Sequence, residues 1–348
     1  MRRTYISLLF FVFLLIAILA GGYVWFKSNE SSNVKVSFDA NNPDLLINTP
    51  NRIVVIDENN GNLTKREIYN ERFMHTSVYD KHTKKLLAPT YSPEHHFAGI
   101  TEFSNGQAKY QKVKDFGPMN VVSSNGYLLM DSSLSLTNRE GLPVTKLGLY
   151  DLRSNKFVKE FTVNGIVQSM IKVGSNAYFP SLCENNQSNI YRFDFDTWKL
   201  DKVLKMDQPH VPNQILFYKD MMIGLANDEA AGASSNKNKL YYIKNGVISK
   251  ELKLKQGTKE MAILNNKILI LYEPYDRKSF IEVLKIEGSQ EAEKVKLADN
   301  PTNITTWNQN LVVIDQHKKV YIYNQELKKI NELELGIDAQ VLNITKAN

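Results

Sequence analysis

Short apolar segments alternate with polar turns along most of the chain. In the recurrent pattern, an apolar segment ends on Asp or Asn, a few polar residues follow, and the next segment alternates Lys or Glu with Leu, Val or Phe. Alternation of apolar and polar residues is typical of half-buried β-strands. The same hairpin recurs, with Lys five positions after Asp or Asn, at Asp80–Lys85, Asp151–Lys156, Asp194–Lys199 and Asn324–Lys329.

These hairpins group into five units of four predicted strands each. Their spacing of roughly 42 to 48 residues is that of four-stranded propeller blades. Residues 34–117 leave room for two further, less regular units of about that length. We therefore predict an all-β β-propeller of seven four-stranded blades, with six and eight blades as alternatives. The five regular units are Met119–Val163, Val167–Met206, Gln214–Leu254, Glu260–Leu297 and Asn303–Leu335.

Turns and outer strands agree with this architecture. Asn245-Gly246 is the strongest hairpin signal, because both residues tolerate the positive φ of a type I′ turn. We expect the ring to close by pairing the two ends of the domain, Val34–Phe38 with Ala339–Ile344. Fourth strands such as Lys250–Lys255 alternate charged and apolar residues. Because lysines on an outer edge obstruct strand addition by another molecule, we expect a monomer.

Two stretches carry a further resemblance, Tyr150-Asp151-Leu152 through Lys156 and Phe193 through Lys199. An Asp followed by polar residues and by a Lys that enters the next strand is similar to the repeats of the bacterial YVTN and quinoprotein-like members of the β-propeller superfamily. The sequence contains neither a literal YVTN string nor the Gly-His and Trp-Asp pairs of WD repeats. The resemblance implies the fold of nearly all of the chain after its N-terminal segment, but a shared fold does not imply a function.

The N-terminal segment differs in composition from the rest of the chain. Residues 6–26 carry no charged side chain, and about 20 apolar residues are enough to cross a bilayer as a helix. Arg2 and Arg3 precede this segment, Lys27 follows it, and positive charges favour the cytoplasmic side. Ala20-Gly21-Gly22 resembles a signal-peptidase site, so cleavage and secretion are the alternative to a retained anchor. The predicted division is a transmembrane signal-anchor at 1–27, a tether at 28–33 and an extracytoplasmic propeller at 34–348, in a single-pass protein of the cell membrane with its N-terminus in the cytoplasm.

Net charge argues against a nucleic-acid partner. The formal charge is +6, but Arg2, Arg3 and Lys27 supply half of it, and no acid lies among residues 1–27. The rest of the chain is close to neutral, whereas nucleic-acid binding needs a concentrated basic patch. The single cysteine, Cys183, cannot form an internal disulfide, and we interpret it as a small, mostly buried apolar residue.

Carboxylates and histidines recur without the spacing of a metal site. His95 and His96 are adjacent, so on an extended chain they point to opposite sides, whereas zinc needs three or four converging ligands. The sequence contains no Gly-rich phosphate loop, nucleophile elbow or His-Glu-x-x-His motif. We predict no catalytic residue, no metal site and no cofactor, although calcium and zinc stay open as alternatives. Four aspartates begin turns and are interpreted as turn caps, which accept backbone hydrogen bonds: Asp57, Asp80, Asp151 and Asp194.

Connections between the second and third strands of a unit are often long, as at 132–145, 227–238 and 273–278. In a propeller these connections emerge on one face, and loops carry function more often than strands do. Recognition of a partner is one interpretation, and tolerated insertion into solvent is the other. The predicted partner-binding residues on this face are Arg139, Glu140, Asp228, Glu229, Tyr275, Asp276 and Arg277.

The predicted function is that of a membrane-anchored, extracytoplasmic binding or scaffolding module that is not an enzyme. Its ligand would be a cell-surface protein, a peptide or a wall glycan, and residues 6–26 would contact the membrane. The alternative is a propeller enzyme with a central-tunnel site, of lactonase-like or quinoprotein-like activity. Such an enzyme would gather several acids, His or Asn around one cavity. A scaffold would instead have a tunnel without such a group of side chains and long loops on one face.

Overall fold

The computed structural model describes most of the chain after the N-terminal segment, and the described strands form seven antiparallel sheets. Within this part, the all-β class, the four-stranded blade and the blade number of seven are confirmed. The predicted anchor, tether and strand Val34–Phe38 lie outside the described residues, as do His95 and His96. The described residues are 45–346 without 60, 71, 93–96, 105–106, 114–115, 133–135, 184–187, 207–211, 228–237, 276 and 288–291.

Each sheet is one blade, the blades are numbered in chain order, and the strands of a blade run from the innermost outward. Blade 1 comprises β31 (Asn343–Lys346), β1 (Leu45–Asn48), β2 (Arg52–Asn59) and β3 (Asn62–Tyr69); blade 2 comprises β4 (Phe73–Met74) with β5 (Val78–Asp80), then β6 (Lys85–Ser92), β7 (Phe97–Ser104) and β8 (Gln107–Lys112); blade 3 comprises β9 (Pro118–Ser124), β10 (Tyr127–Ser132), β12 (Pro143–Asp151) and β13 (Lys156–Asn164), with β11 (Leu136–Thr137) beside β12.

The remaining four blades follow the same order. Blade 4 comprises β14 (Ile166–Val167) with β15 (Ile171–Val173), then β16 (Asn176–Leu182), β17 (Ser188–Asp194) and β18 (Lys199–Met206); blade 5 comprises β19 (Gln214–Tyr218), β20 (Met221–Ala226), β21 (Lys239–Lys244) and β22 (Val247–Lys253); blade 6 comprises β23 (Thr258–Leu264), β24 (Lys267–Tyr272), β25 (Phe280–Lys285) and β26 (Glu293–Val295); blade 7 comprises β27 (Pro301–Trp307), β28 (Asn310–Asp315), β29 (Lys319–Tyr323) and β30 (Lys329–Glu334).

The hydrophobic core is divided among the contacts between neighbouring blades. Successive side chains of a strand point to opposite faces of its sheet, so Leu45 and Ile47 pack against Trp307 of blade 7, while Leu46 packs against Met74 of blade 2. Each of the other neighbouring pairs of blades shares its own cluster of buried residues. The middle strands are therefore apolar on both faces, and full burial of a Leu or Ile side chain stabilises by about 1.5–3 kcal/mol.

The ring closes through its first and last described strands. β31 pairs antiparallel with β1, with Leu46 opposite Thr345 and Ile47 opposite Ile344. The two ends of the domain thus pair, as expected, but through other segments than the predicted Val34–Phe38 and Ala339–Ile344: the N-terminal partner is Leu45–Asn48, and the C-terminal partner is Asn343–Lys346. Leu342 N also donates a hydrogen bond to the Asn48 carbonyl oxygen at 2.8 Å.

The outer strands are exposed and carry the predicted alternation of charges. Ion pairs join them to their inner neighbours, as between Lys319 and Glu332 at 2.7 Å and between Lys239 and Glu251 at 2.6 Å. The observed strands thus place lysines along the rim of the ring, where they were predicted.

Turn chemistry largely follows the sequence prediction. Asn245 and Gly246 have φ values of 52° and 71°, as a type I′ turn requires. Asp80, Asp151 and Asp194 accept hydrogen bonds from backbone amides of their own turns, and those bonds hold the pKa values of Asp151 and Asp194 below the usual range. The interpretation of Asp57 as a turn cap is wrong, because this residue lies within β2 and its carboxylate pairs with Arg66 on β3 at 2.6 Å.

Two further features bear on the N-terminal and cysteine predictions. Within the described residues, no helix combines the length and the apolar character needed to cross a bilayer. Cys183 is half-buried at the end of β16, and its Sγ accepts a hydrogen bond from Asn189 Nδ2 at 3.0 Å.

Candidate functional site

The order of strands within each blade gives the ring two distinct faces. The loop face carries the connections between the second and third strands of a blade and the connections between blades; the turn face carries tight turns such as Asn125-Gly126. Backbone hydrogen bonds join neighbouring connections of the loop face, as from Gly165 N to the Pro143 carbonyl oxygen at 2.8 Å. The topology therefore places the long connections on one face, as the sequence predicted.

The predicted binding residues lie on this loop face at separate positions. Arg139 and Glu140 are exposed on blade 3, whereas Tyr275 and Arg277 are exposed on blade 6. Blades 3 and 6 are not neighbours in the ring, so the structure does not bring these two pairs into one site. Asp228, Glu229 and Asp276 lie outside the described residues.

The blade 3 connection is ordered by its own hydrogen bonds. Asn138 Oδ1 accepts from Glu140 N at 2.9 Å and from Leu142 N at 3.0 Å. Gly141 has a φ of 78°, a conformation that Gly adopts without strain. The short strand β11 pairs with β12 before this turn, with Leu136 opposite Val144, so Leu136 is held at the surface.

Exposed large hydrophobic side chains concentrate on the loop face. Of the ten such residues in the described part of the chain, seven lie at the loop-face ends of strands or in loop-face connections, and six of these belong to blades 1–4. Val158, Val247 and Ile330 lie instead on outer strands away from the loop face. The seven loop-face residues are Tyr69, Phe73, Met119, Leu136, Ile166, Leu182 and Tyr275.

Three of these side chains form what we call the apolar patch, which consists of Leu136, Ile166 and Leu182. Ile166 is 54% exposed and pairs directly with Leu182, which is 37% exposed. Leu136, 39% exposed, pairs with Val144 of β12, the blade 3 strand that contacts β14. Exposed apolar side chains that lie together mark interaction surfaces more often than isolated ones do.

A second candidate site is the central cavity, which the innermost strands of the blades enclose. Its volume is about 370 Å³, within the range of small-molecule sites. Hydroxyl and amide side chains make up much of its lining, together with aliphatic side chains. Among the described lining residues, the charged ones are Lys172 on β15 and Lys346 on β31, both near the turn face.

Polar side chains of the inner strands bridge neighbouring blades. Gln214 of blade 5 accepts from Met261 N at 2.7 Å and donates to the Met261 carbonyl oxygen at 3.1 Å. The Glu260 carboxylate of blade 6 accepts from Ile304 N at 2.9 Å and from Asn303 Nδ2 at 3.0 Å. These side chains hold the ring together around the cavity, and burial raises the pKa of Glu260.

One buried acid supports the cavity wall from behind. Asp131 is 3% exposed and accepts hydrogen bonds from Asn120 N at 2.6 Å and from Asn120 Nδ2 at 2.7 Å. Asn120 lines the cavity, so Asp131 positions its side chain. Burial raises the pKa of the Asp131 carboxyl to about 6, although the hydrogen bonds from Asn120 act in the opposite direction.

The described residues contain no group of three or more His, Cys, Asp or Glu side chains arranged to hold a metal ion. His75 is partly buried in blade 2, and burial lowers its pKa. His317 is exposed in the turn after β28 and contacts Gln316.

Comparison with known proteins supports the fold alone. No protein-family model and no curated protein sequence matches the chain. Solved structures do match, and hydrazine synthase of Kuenenia stuttgartiensis is similar at 11% identity and a TM-score of 0.53, over 73% of this chain and 77% of that one. BamB of Moraxella catarrhalis is similar at 12% identity and a TM-score of 0.51, over 84% of this chain and 83% of that one. The propeller domain of the Trilobed protease of Pyrococcus furiosus is similar at 9% identity and a TM-score of 0.51, over 74% of this chain and 84% of that one.

These likenesses confirm the β-propeller, whereas the resemblance to YVTN and quinoprotein-like repeats stays a prediction. The Pyrococcus furiosus propeller is described as having an open velcro topology. In the present chain, by contrast, β1 and β31 pair and close the ring.

Sequence reasoning missed the apolar patch and the two cavity lysines. Ile166 and Leu182 look like ordinary strand residues, and only the three-dimensional arrangement leaves them exposed. A signal for Lys172 did exist, because it falls in the first strand of its repeat unit and first strands line the centre of a propeller.

Proposed function

We propose that this protein is a non-catalytic binding module that holds a partner protein on its loop face. The observation that carries the proposal is the concentration of exposed large hydrophobic side chains on that face, with the apolar patch at its densest point. Removal of exposed apolar surface from water is the main favourable term in most protein–protein association. A partner with a complementary apolar surface would bury Leu136, Ile166 and Leu182 and remove them from water.

The inner strands support a scaffolding role. Gln214 and Glu260 are engaged in hydrogen bonds between blades, and Thr345 Oγ1 of blade 1 donates to the Ser77 carbonyl oxygen of blade 2 at 3.0 Å. Side chains used in this way stabilise the ring around the centre. Elemental analysis of the purified protein separates this proposal from the enzyme alternative, since stoichiometric calcium or zinc would favour a tunnel-site enzyme.

We place the module on the outer side of the cell membrane, anchored through residues 6–26. The support is the sequence: an uncharged apolar segment of sufficient length, with Arg2 and Arg3 before it. The loop-face residues Arg139, Glu140, Tyr275 and Arg277, with Asp228, Glu229 and Asp276, stay predicted contributors to the same partner surface. A cell-surface protein is the favoured partner over a peptide or a wall glycan, because the exposed groups that support the site are aliphatic.

Site-specific photo-crosslinking in cells tests the loop-face proposal. A photoreactive benzoylphenylalanine at Leu136 should yield one discrete crosslinked protein. The matched control is the same substitution at Val247, which is 63% exposed on the turn face and should yield no such product. The double substitution of Ile166→Ser and Leu182→Ser should reduce crosslinking from position 136 at least tenfold, whereas Val247→Ser should not.

The two faces therefore give opposite expectations in one experiment. Equal crosslinking from positions 136 and 247, or no product from position 136, would overturn the assignment of the loop face. Circular dichroism of each variant checks that its ring is folded. A product that survives the Ile166→Ser and Leu182→Ser substitutions in a folded protein would exclude the apolar patch as the contact.

A further inference from the structure

The central cavity carries a second inference, independent of the loop face. Lys172 is the middle residue of β15 in blade 4, and Lys346 is the last residue of β31 in blade 1. Both strands run from the loop face to the turn face and both residues line the cavity, so the two lysines lie near its turn-face end. Two lysines from different blades thus line one cavity.

Among its described lining residues, the cavity provides no carboxylate to balance these charges. None of the described residues that line it is an Asp or a Glu. Lys346 Nζ donates a hydrogen bond to Thr306 Oγ1 at 3.1 Å, which is a neutral partner. Two positive charges that line one cavity without a carboxylate among its described residues attract an anion.

Asp80 of blade 2 is an acid that attracts the Lys172 ammonium group electrostatically. Asp80 is not among the residues that line the cavity. Its two carboxylate oxygens accept hydrogen bonds from Thr83 N at 2.8 Å and from Gly126 N at 3.2 Å. Lys81, beside Asp80, adds a positive charge that opposes its effect on Lys172. The attraction of Asp80 is the stronger of these two effects, but it acts from outside the cavity.

Burial acts on both ammonium groups in the same direction. It lowers the pKa of Lys172 and the pKa of Lys346. Lys346 is exposed to solvent and also lines the cavity. Hydroxyl groups complete the site, since Thr305 and Thr306 of blade 7 line the cavity beside Lys346.

We propose that the turn-face end of the central cavity binds a small oxyanion, a phosphate or carboxylate group, between the ammonium groups of Lys172 and Lys346. Hydrogen bonds between a charged donor and a charged acceptor are about twice as strong as neutral ones. The anion supplies the opposite charge that the described cavity lining lacks, and the Thr306 hydroxyl donates a hydrogen bond to it. The volume of about 370 Å³ limits the ligand to a small molecule.

Isothermal titration calorimetry on the full-length chain, in mild detergent and at constant ionic strength, tests this site. Inorganic phosphate and succinate are the two probes, and sodium chloride at equal ionic strength is the blank. At least one probe should bind saturably at pH 7. Stronger binding of phosphate would assign a phosphorylated ligand, and stronger binding of succinate would assign a carboxylate.

Variants then place the anion at the two lysines. Lys172→Met and Lys346→Met keep an unbranched side chain of similar length without its charge, and each should weaken binding at least tenfold, or about 1.4 kcal/mol. Lys285→Met removes an exposed lysine at the turn-face end of β25 and should leave binding unchanged. The absence of saturable binding by either probe, or equal affinity in all three variants, would overturn the proposal.

A measurement on the unmodified protein covers the case in which a variant does not fold. An amine-acylating reagent with peptide mass spectrometry reports how fast each lysine reacts. Saturating anion should slow the acylation of Lys172 and Lys346 at least tenfold and leave that of Lys285 unchanged. Equal acylation rates with and without anion would contradict the site.

Discussion

Replacing Asp131 with asparagine removes a buried carboxyl group whose ionisation opposes folding near neutral pH. The carboxyl lies behind the cavity wall at 3% exposure, and its pKa is raised by burial from 3.8 to about 6. A group whose pKa is higher in the folded than in the unfolded protein binds its proton more tightly in the folded state. Its contribution to stability is therefore fully present below pH 3.8 and is lost as the pH rises through about 6.

The size of the effect follows from the two pKa values. Between pH 7 and pH 5 the folded protein takes up most of one proton at Asp131, while the unfolded chain takes up almost none. The linkage relation then gives a gain of about 1.3 kcal/mol in unfolding free energy on acidification over this range. Asparagine does not titrate, so the Asp131→Asn variant lacks this gain.

Urea denaturation of both proteins at pH 7, 6 and 5 measures the effect. Other titrating groups act on both proteins alike, so the quantity of interest is the wild-type minus variant difference in unfolding free energy. That difference should rise by about 1.3 kcal/mol from pH 7 to pH 5. A difference that does not change with pH would refute the reasoning, because it would mean that Asp131 ionises in the folded protein as it does in the unfolded chain.

Two further substitutions test the packing and the closure of the ring. Gly148→Ala would place its Cβ 2.3 Å from a ring carbon of Phe157 and 3.2 Å from one of Phe116, so we expect the unfolding free energy in urea to fall by about 1–3 kcal/mol; an unchanged midpoint would contradict that packing. Thr345→Val removes the hydrogen bond to the Ser77 carbonyl oxygen and should cost about 1 kcal/mol, seen as a Tm lower by roughly 2 °C, whereas an equal Tm would show that this link between blades 1 and 2 does not stabilise the ring.

Blades 3–7 could be predicted strand by strand, because each hairpin brings its own turn residues and its own alternation of apolar and charged side chains. β1 could not. Leu45, Leu46 and Ile47 are buried on both faces, so they show no alternation. Their pairing partner β31 lies at the opposite end of the described chain, so no turn between the two strands indicates that they pair.

The candidate sites were predictable in part. Strand order places the long connections on one face, and this follows from the repeat pattern alone. The exposure of Ile166 and Leu182 does not follow from the repeat pattern, because it depends on how far each strand extends beyond its neighbours. Lys346 resembles any solvent-facing lysine near a chain end, and its place in the cavity results from ring closure.

The cavity site depends on a closed ring, since β31 contributes Lys346 to the cavity and completes blade 1. Hydrogen–deuterium exchange with mass spectrometry on the full-length chain tests closure most directly, without any substitution. Peptides that contain residues 343–346 and 45–48 should exchange as slowly as those from the strands of blade 5. Exchange of residues 343–346 at the rate of an unstructured peptide, while the other blades stay protected, would contradict the closed seven-bladed ring.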